Sequence, residues 1–80
     1  MDYLIDVRTA DEFAGGHYEG AINLDVNAMS QGVLPDVPRD ASIGVYCRSG
    51  MRAAAAEQML RHAGFSNVTN LGGYNGTAHP

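Results

Sequence analysis

Residues 43–60, IGVYCRSGMRAAAAEQML, run from an apolar stretch through a single cysteine into an alanine-rich stretch. Ile43-Gly44-Val45-Tyr46 has the β-branched and aromatic composition of a buried strand. Arg52 to His62 carries four consecutive alanines, and Gly64 falls at the C′ position where a left-handed residue closes a helix. Its Ala56, Met59, Leu60 and Ala63 are spaced to form a core stripe. A strand feeding directly into a helix is half of a parallel α/β unit. Cys47, the only cysteine, stands at the turn between them.

The same alternation extends outward. Tyr3-Leu4-Ile5-Asp6-Val7 reads as a strand, and Thr9-Ala10-Asp11-Glu12 fits a capping box that starts a short helix through Phe13, stopped at Gly15-Gly16. Ala21–Leu24 is a weaker strand. Between Asp25 and Asp40, Met29, Val33, Leu34 and Val37 are assigned to a short helix and a loop, because Pro35 and Pro38 forbid a long helix there. Val68–Leu71 is the last strand, followed by a glycine-rich tail from Gly72. The expectation is one small α/β domain over residues 1–80, a parallel sheet of about four strands flanked by helices.

Composition narrows the function classes. The chain has 80 residues, net charge −4, five arginines and no lysine, which cannot supply the basic face of a nucleic-acid binder. No apolar stretch approaches the roughly 18–20 residues of a membrane-spanning helix. One cysteine cannot form an intrachain disulfide framework, so the core must hold the fold. His17, His62 and His79 show no metal-ligand spacing with Cys47, and neither a metal nor another cofactor is expected. The expected state is a monomer, cytoplasmic, or periplasmic where an export segment has been removed.

The position of Cys47 has chemical consequences. The first N–H groups of a helix lack intrahelical partners and concentrate positive potential there. A thiol facing them has its thiolate stabilised. Gly50 allows the backbone to curl into an anion nest, and Ser49 adds a hydroxyl donor. Arg52 in the first turn is unfavourable by roughly 0.3–1 kcal/mol unless something negative sits nearby; a thiolate and an anionic substrate meet that need. A lone cysteine after a strand is often only a small buried hydrophobe. An inert thiol, however, gains nothing from the Cys-Arg-Ser-Gly-Met-Arg context. Asp6 and Arg8 end the first strand and are placed at the same sheet edge in a supporting role, with Arg8 pairing to Glu12 or another carboxylate.

These segments together resemble the rhodanese-like sulfurtransferases. Leu4-Ile5-Asp6-Val7-Arg8, Glu12-Phe13 and Gly16-His17-Tyr18-Glu19-Gly20-Ala21-Ile22-Asn23 are similar to that family's first signature. Val45 to Arg52 is similar to its active-site loop, and Gly64–Val68 with Leu71–Tyr74 to its closing elements. The family's leading strand and helix, and the tryptophan often found after its GG pair, have no counterpart in these 80 residues. The resemblance implies a Cys47 persulfide formed from thiosulfate or a related donor and passed to cyanide or a thiol. It implies that residues Arg48, Ser49, Gly50, Met51 and Arg52 bind the donor, the two arginines taking its sulfonate end. The loop from Cys47 to Arg52 has six residues, the sulfurtransferase length; related phosphatases and arsenate reductases carry one more. A persulfide carrier or sulfur sensor that does not turn over shares the same site. The resemblance gives His17 a loop-holding hydrogen bond rather than a catalytic role.

Overall fold

A computed structural model describes residues 1–80. The element order is β1 (Tyr3–Asp6), α1 (Ala10–Ala14), β2 (Ile22–Asn23), α2 (Val26–Ser30), β3 (Ile43–Cys47), α3 (Met51–His62) and β4 (Val68–Gly73). The four strands form one sheet in the order β2-β1-β3-β4, every pair parallel. This is the architecture expected from alternating strand and helix patterns.

Strand parity divides the interior. Ile5, Val7, Ile43, Val45 and Cys47 belong to the main core cluster, with Val26 and Met29 of α2 and Ala53, Ala56 and Leu60 of α3. On β1 and β3 the intervening positions face the opposite side. There Asp6 and Tyr46 are fully buried, in a layer completed by Arg8, Tyr18 and Tyr74. β3 is buried along its whole length, as a strand flanked on both edges must be.

The helix boundaries have local causes. The Thr9 hydroxyl accepts from the Glu12 N–H while the Glu12 carboxylate accepts from the Thr9 N–H, so the capping box forms as read. α3 ends in a Schellman closure: Gly64 has φ 100°, its N–H donates to Arg61, and the Phe65 N–H donates to Leu60. Phe65, just beyond, is buried in the core.

Several expectations change. β4 continues through Gly72 and Gly73, so the glycine pair belongs to the sheet and not to a tail. α3 begins at Met51, one residue early, and Ala53 joins Ala56 and Leu60 in its buried stripe. In the 25–40 region the helix is α2, capped by the Asp25 carboxylate; Met29 is buried and Val37 packs against the core. Val33 and Leu34 face solvent, because the chain leaves α2 through Gly32 before reaching them. No helix is long and apolar enough to cross a membrane.

Candidate active site

Cys47 closes β3 on the α3 side of the sheet, and residues 48–50 carry the chain into α3. Gly50 is the N-cap of α3 with φ 94°, a left-handed conformation in which a Cβ would be strained. No side chain caps this helix end. Instead the Gly50 N–H donates to Cys47 Sγ at 2.9 Å. Burial pushes the Cys47 thiol up, but the backbone N–H groups of Ala53, Ser49, Gly50 and Arg52 together outweigh it and bring the thiol below its ordinary value. The sulfur therefore sits in an anion nest at the amino end of a twelve-residue helix.

The two loop arginines differ. Arg52 forms a fork with Glu12, Nη1 to Oε1 at 2.6 Å and Nη2 to Oε2 at 3.0 Å. This pair, with the Thr9 contacts, holds the Glu12 carboxyl down at about 2. The negative charge that an arginine in the first turn of α3 requires is thus supplied by the protein, from a residue 40 positions away. Arg8 pairs with Asp6 and Arg61 with Glu57, and Arg39 donates to the Ala63 carbonyl and covers the Phe65 ring. Arg48 is exposed and is the one arginine with no side-chain hydrogen bond or ion pair inside the chain. Ser49 is exposed beside it, and Met51 is 80% exposed at the rim.

Asp6 and Arg8 lie elsewhere. Arg8 pairs not with Glu12 but with Asp6, through Nε at 2.9 Å and Nη2 at 2.7 Å, and its Nη2 also donates to the Gly16 carbonyl at 2.6 Å. Its guanidinium lies 4.9 Å from the Tyr74 ring centroid. Both residues are on the tyrosine face of the sheet, and neither hydrogen-bonds the cysteine loop. His17 stacks on Phe13 and its Nδ1 lies 2.7 Å from the Phe13 carbonyl, holding its own loop.

The end of β4 underlies the cradle, which the sequence reading missed. The Tyr74 N–H donates to the Cys47 carbonyl at 2.8 Å, and the Asn70 side chain donates to the Gly50 carbonyl at 3.0 Å. A Cβ at Gly73 would collide with the Arg48 carbonyl, with the Arg48 carbonyl carbon at only 2.8 Å. Both sides of that clash are backbone, so neither can swing aside. The Gly73→Ala variant is expected to lose about 3 kcal/mol, the upper end for overpacking, and to slow Cys47 alkylation. Thermal melting and iodoacetamide kinetics check this; an unchanged pair of values would refute the close approach.

A parallel sheet carrying one thiol in a ring of N–H donors at a strand–helix junction defines a class: α/β domains that hold a sulfur anion on a backbone cradle. The chain belongs to the rhodanese-like family, whose model, described as Rhodanese-like domain, matches residues 1–79. It is 30% identical over 80 residues to "Thiosulfate sulfurtransferase PspE" of Escherichia coli, covering 99% of this chain and 77% of that one. It is 40% identical to "Thiosulfate sulfurtransferase 16, chloroplastic" of Arabidopsis thaliana, covering 92% and 72%. Among solved structures, "rhodanese with anions from E. coli" superimposes with a TM-score of 0.84 at 29% identity, covering 98% of this chain and 93% of that one.

Proposed function

We propose that this chain is a sulfurtransferase that takes the outer sulfur of thiosulfate on Cys47 and passes it to a thiol or cyanide. The reading rests on one observation above others: Cys47 Sγ lies 2.9 Å from the Gly50 N–H, inside the N–H ring at the start of α3, and the next residue, Arg48, is exposed and unpartnered. In the first half-reaction the Cys47 thiolate attacks the outer sulfur, the donor's S–S bond breaks, and its electron pair leaves with sulfite. Cys47 is left as a persulfide, whose terminal sulfur anion the N–H groups stabilise. In the second, the acceptor attacks that terminal sulfur and the Cys47 thiolate is regenerated. A preformed thiolate makes a general base unnecessary.

The donor's sulfonate is assigned to Arg48, with Ser49 adding a hydroxyl and Gly50 and Arg52 contributing backbone N–H groups. Met51 forms the apolar rim. Arg52 holds the loop through Glu12 as its main task, since both terminal nitrogens of its guanidinium are already engaged. The Arg48→Ala variant is expected to lose about ten- to a hundredfold in kcat/KM for thiosulfate, the size of a lost charge-assisted hydrogen bond, mostly through KM. A steady-state assay with thiosulfate and cyanide reads it; unchanged KM would move the sulfonate elsewhere.

The direct test is the intact mass of the reduced protein after incubation with thiosulfate. A gain of one sulfur atom, removed by cyanide as thiocyanate appears, is the expected result. Repeated turnover in the same tube separates an enzyme from a stoichiometric carrier. A folded protein with a reactive thiol and no adduct would rule thiosulfate out as donor.

A further inference from the structure

Gly50 performs two tasks at once. Its N–H donates to the Cys47 sulfur, and its carbonyl accepts the first bond of α3 from the Ala54 N–H at 2.9 Å. Both depend on a left-handed backbone conformation at a glycine, the residue that leaves a given conformation most easily. The side chains of the loop do little to hold that conformation, since Arg48 and Ser49 are exposed.

Asn70 does hold it. The Asn70 Nδ2 donates to the Gly50 carbonyl at 3.0 Å, and its Oδ1 accepts from the Gly72 N–H at 2.8 Å. The two partners settle the amide's orientation, because a carbonyl can be met only by the NH2 end and an N–H only by the oxygen. The side chain is half-buried on β4, which is paired with β3 along the sheet. No other side chain from outside the loop hydrogen-bonds the backbone of residues 47–50. The mechanical line therefore runs from the sheet through Asn70 to the Gly50 carbonyl, across the Gly50 Cα to its N–H, and from there to the sulfur.

We propose that Asn70 is a positioning residue for the Cys47 thiolate: by clamping the Gly50 carbonyl it keeps the Gly50 N–H aimed at the sulfur. The proposal rests on the reading of Cys47 as the nucleophile. Asn70 touches neither sulfur nor donor in this scheme. Being neutral, it acts without altering the charges around the loop, which come from Arg48 and Arg52 on the loop and helix, Glu12 of α1 and Asp25 at the head of α2. The Tyr46 and Tyr74 rings lie on the opposite face of the sheet with Arg8; Tyr46 is pushed up to about 12, chiefly by burial, and stays neutral throughout the working range.

The test uses two variants of the chain and a reaction that needs no sulfur donor, alkylation of Cys47 by iodoacetamide as a function of pH. Asn70→Ser retains an acceptor for Gly72 but is too short to reach Gly50 as well. Asn70→Asp retains the shape, but a carboxylate has nothing to donate. In Asn70→Ser the midpoint of the alkylation profile is expected to rise by at least about half a pH unit, which on the acid side of the midpoint is roughly a threefold loss of rate. Asn70→Asp rises further at low salt, and the surplus, being a charge effect, collapses at high salt. A merely structural Asn70 would lower the melting temperature and leave the midpoint alone; that result in folded Asn70→Ser overturns the proposal. Should Asn70→Ser fail to fold, the Asn70→Asp midpoint at high salt decides by the same criterion. A wild-type chain with a low midpoint that gains no sulfur from thiosulfate would instead refute the donor, leaving the Asn70 result to stand by itself.

Discussion

Replacing Cys47 with serine is expected to abolish sulfur uptake altogether: no mass gain with thiosulfate and no thiocyanate above the uncatalysed background. The hydroxyl occupies the same place in the N–H ring, yet remains protonated where the thiol does not. It also lacks the polarisable, low-lying acceptor character that lets one sulfur displace another. The fold should survive, since Cys47 closes the core cluster at a strand end and serine is smaller by little, although burying its hydroxyl costs some stability. Circular dichroism and intact mass on the same sample check both halves. The pH profile of the wild type belongs to the same argument. Because the thiol is held below its ordinary value, alkylation should reach half its plateau at a pH below that of a free cysteine and fall away as acid protonates the sulfur. A folded serine variant that still accumulated one sulfur would remove Cys47 from the mechanism.

The second large effect is on stability. Asp6 is 0% exposed and Arg8 6%, and their ion pair is surrounded by tyrosine rings. Asp6→Ala leaves a buried guanidinium with only the Gly16 carbonyl and the aromatic faces as partners. Breaking a buried pair in this way costs about 3–5 kcal/mol. At about 0.05–0.15 kcal/mol per residue, a domain of this size has roughly 4–12 kcal/mol in all, so the loss is a large share of its stability. The Asp6→Ala protein is therefore expected to melt far below the wild type. Removing both charges together with apolar residues of similar volume should recover much of the loss, because no uncompensated ion then remains. Asp6→Asn, which preserves part of the hydrogen bonding, should melt between the two and, where folded, alkylate at Cys47 as fast as wild type. Thermal unfolding of the three proteins decides; a wild-type melting temperature for Asp6→Ala would mean that water reaches the pair.

Much of this was legible in the sequence because it is encoded locally. Short apolar runs mark β1 and β3, Thr9 and Glu12 lie three residues apart as a capping box requires, and Gly64 stands where a left-handed residue closes α3. The cysteine loop was equally readable, since a strand end, a glycine and a helix start within a few residues determine which way the N–H groups point. β4 was harder. Its last two residues are glycines, poor strand formers by themselves: the Arg48 carbonyl lies too close to Gly73 for any side chain there, and Gly72 has a left-handed φ of 86°.

What the sequence by itself determined was the family, the alternating α/β order and the thiol at a strand–helix junction, all consequences of neighbours along the chain. Tertiary structure alone decided how the arginines are used. Glu12 claims Arg52 from 40 residues away, Asp6 keeps Arg8 on the far face of the sheet, and Arg48, next to Cys47 in the chain, is left exposed and unpaired. It also brought Asn70 to Gly50 and Tyr74 to Cys47, across separations at which sequence carries no pairing signal. The reason is physical: a hydrogen bond between distant residues depends on sheet order and strand parity, and those are settled only when the core packs.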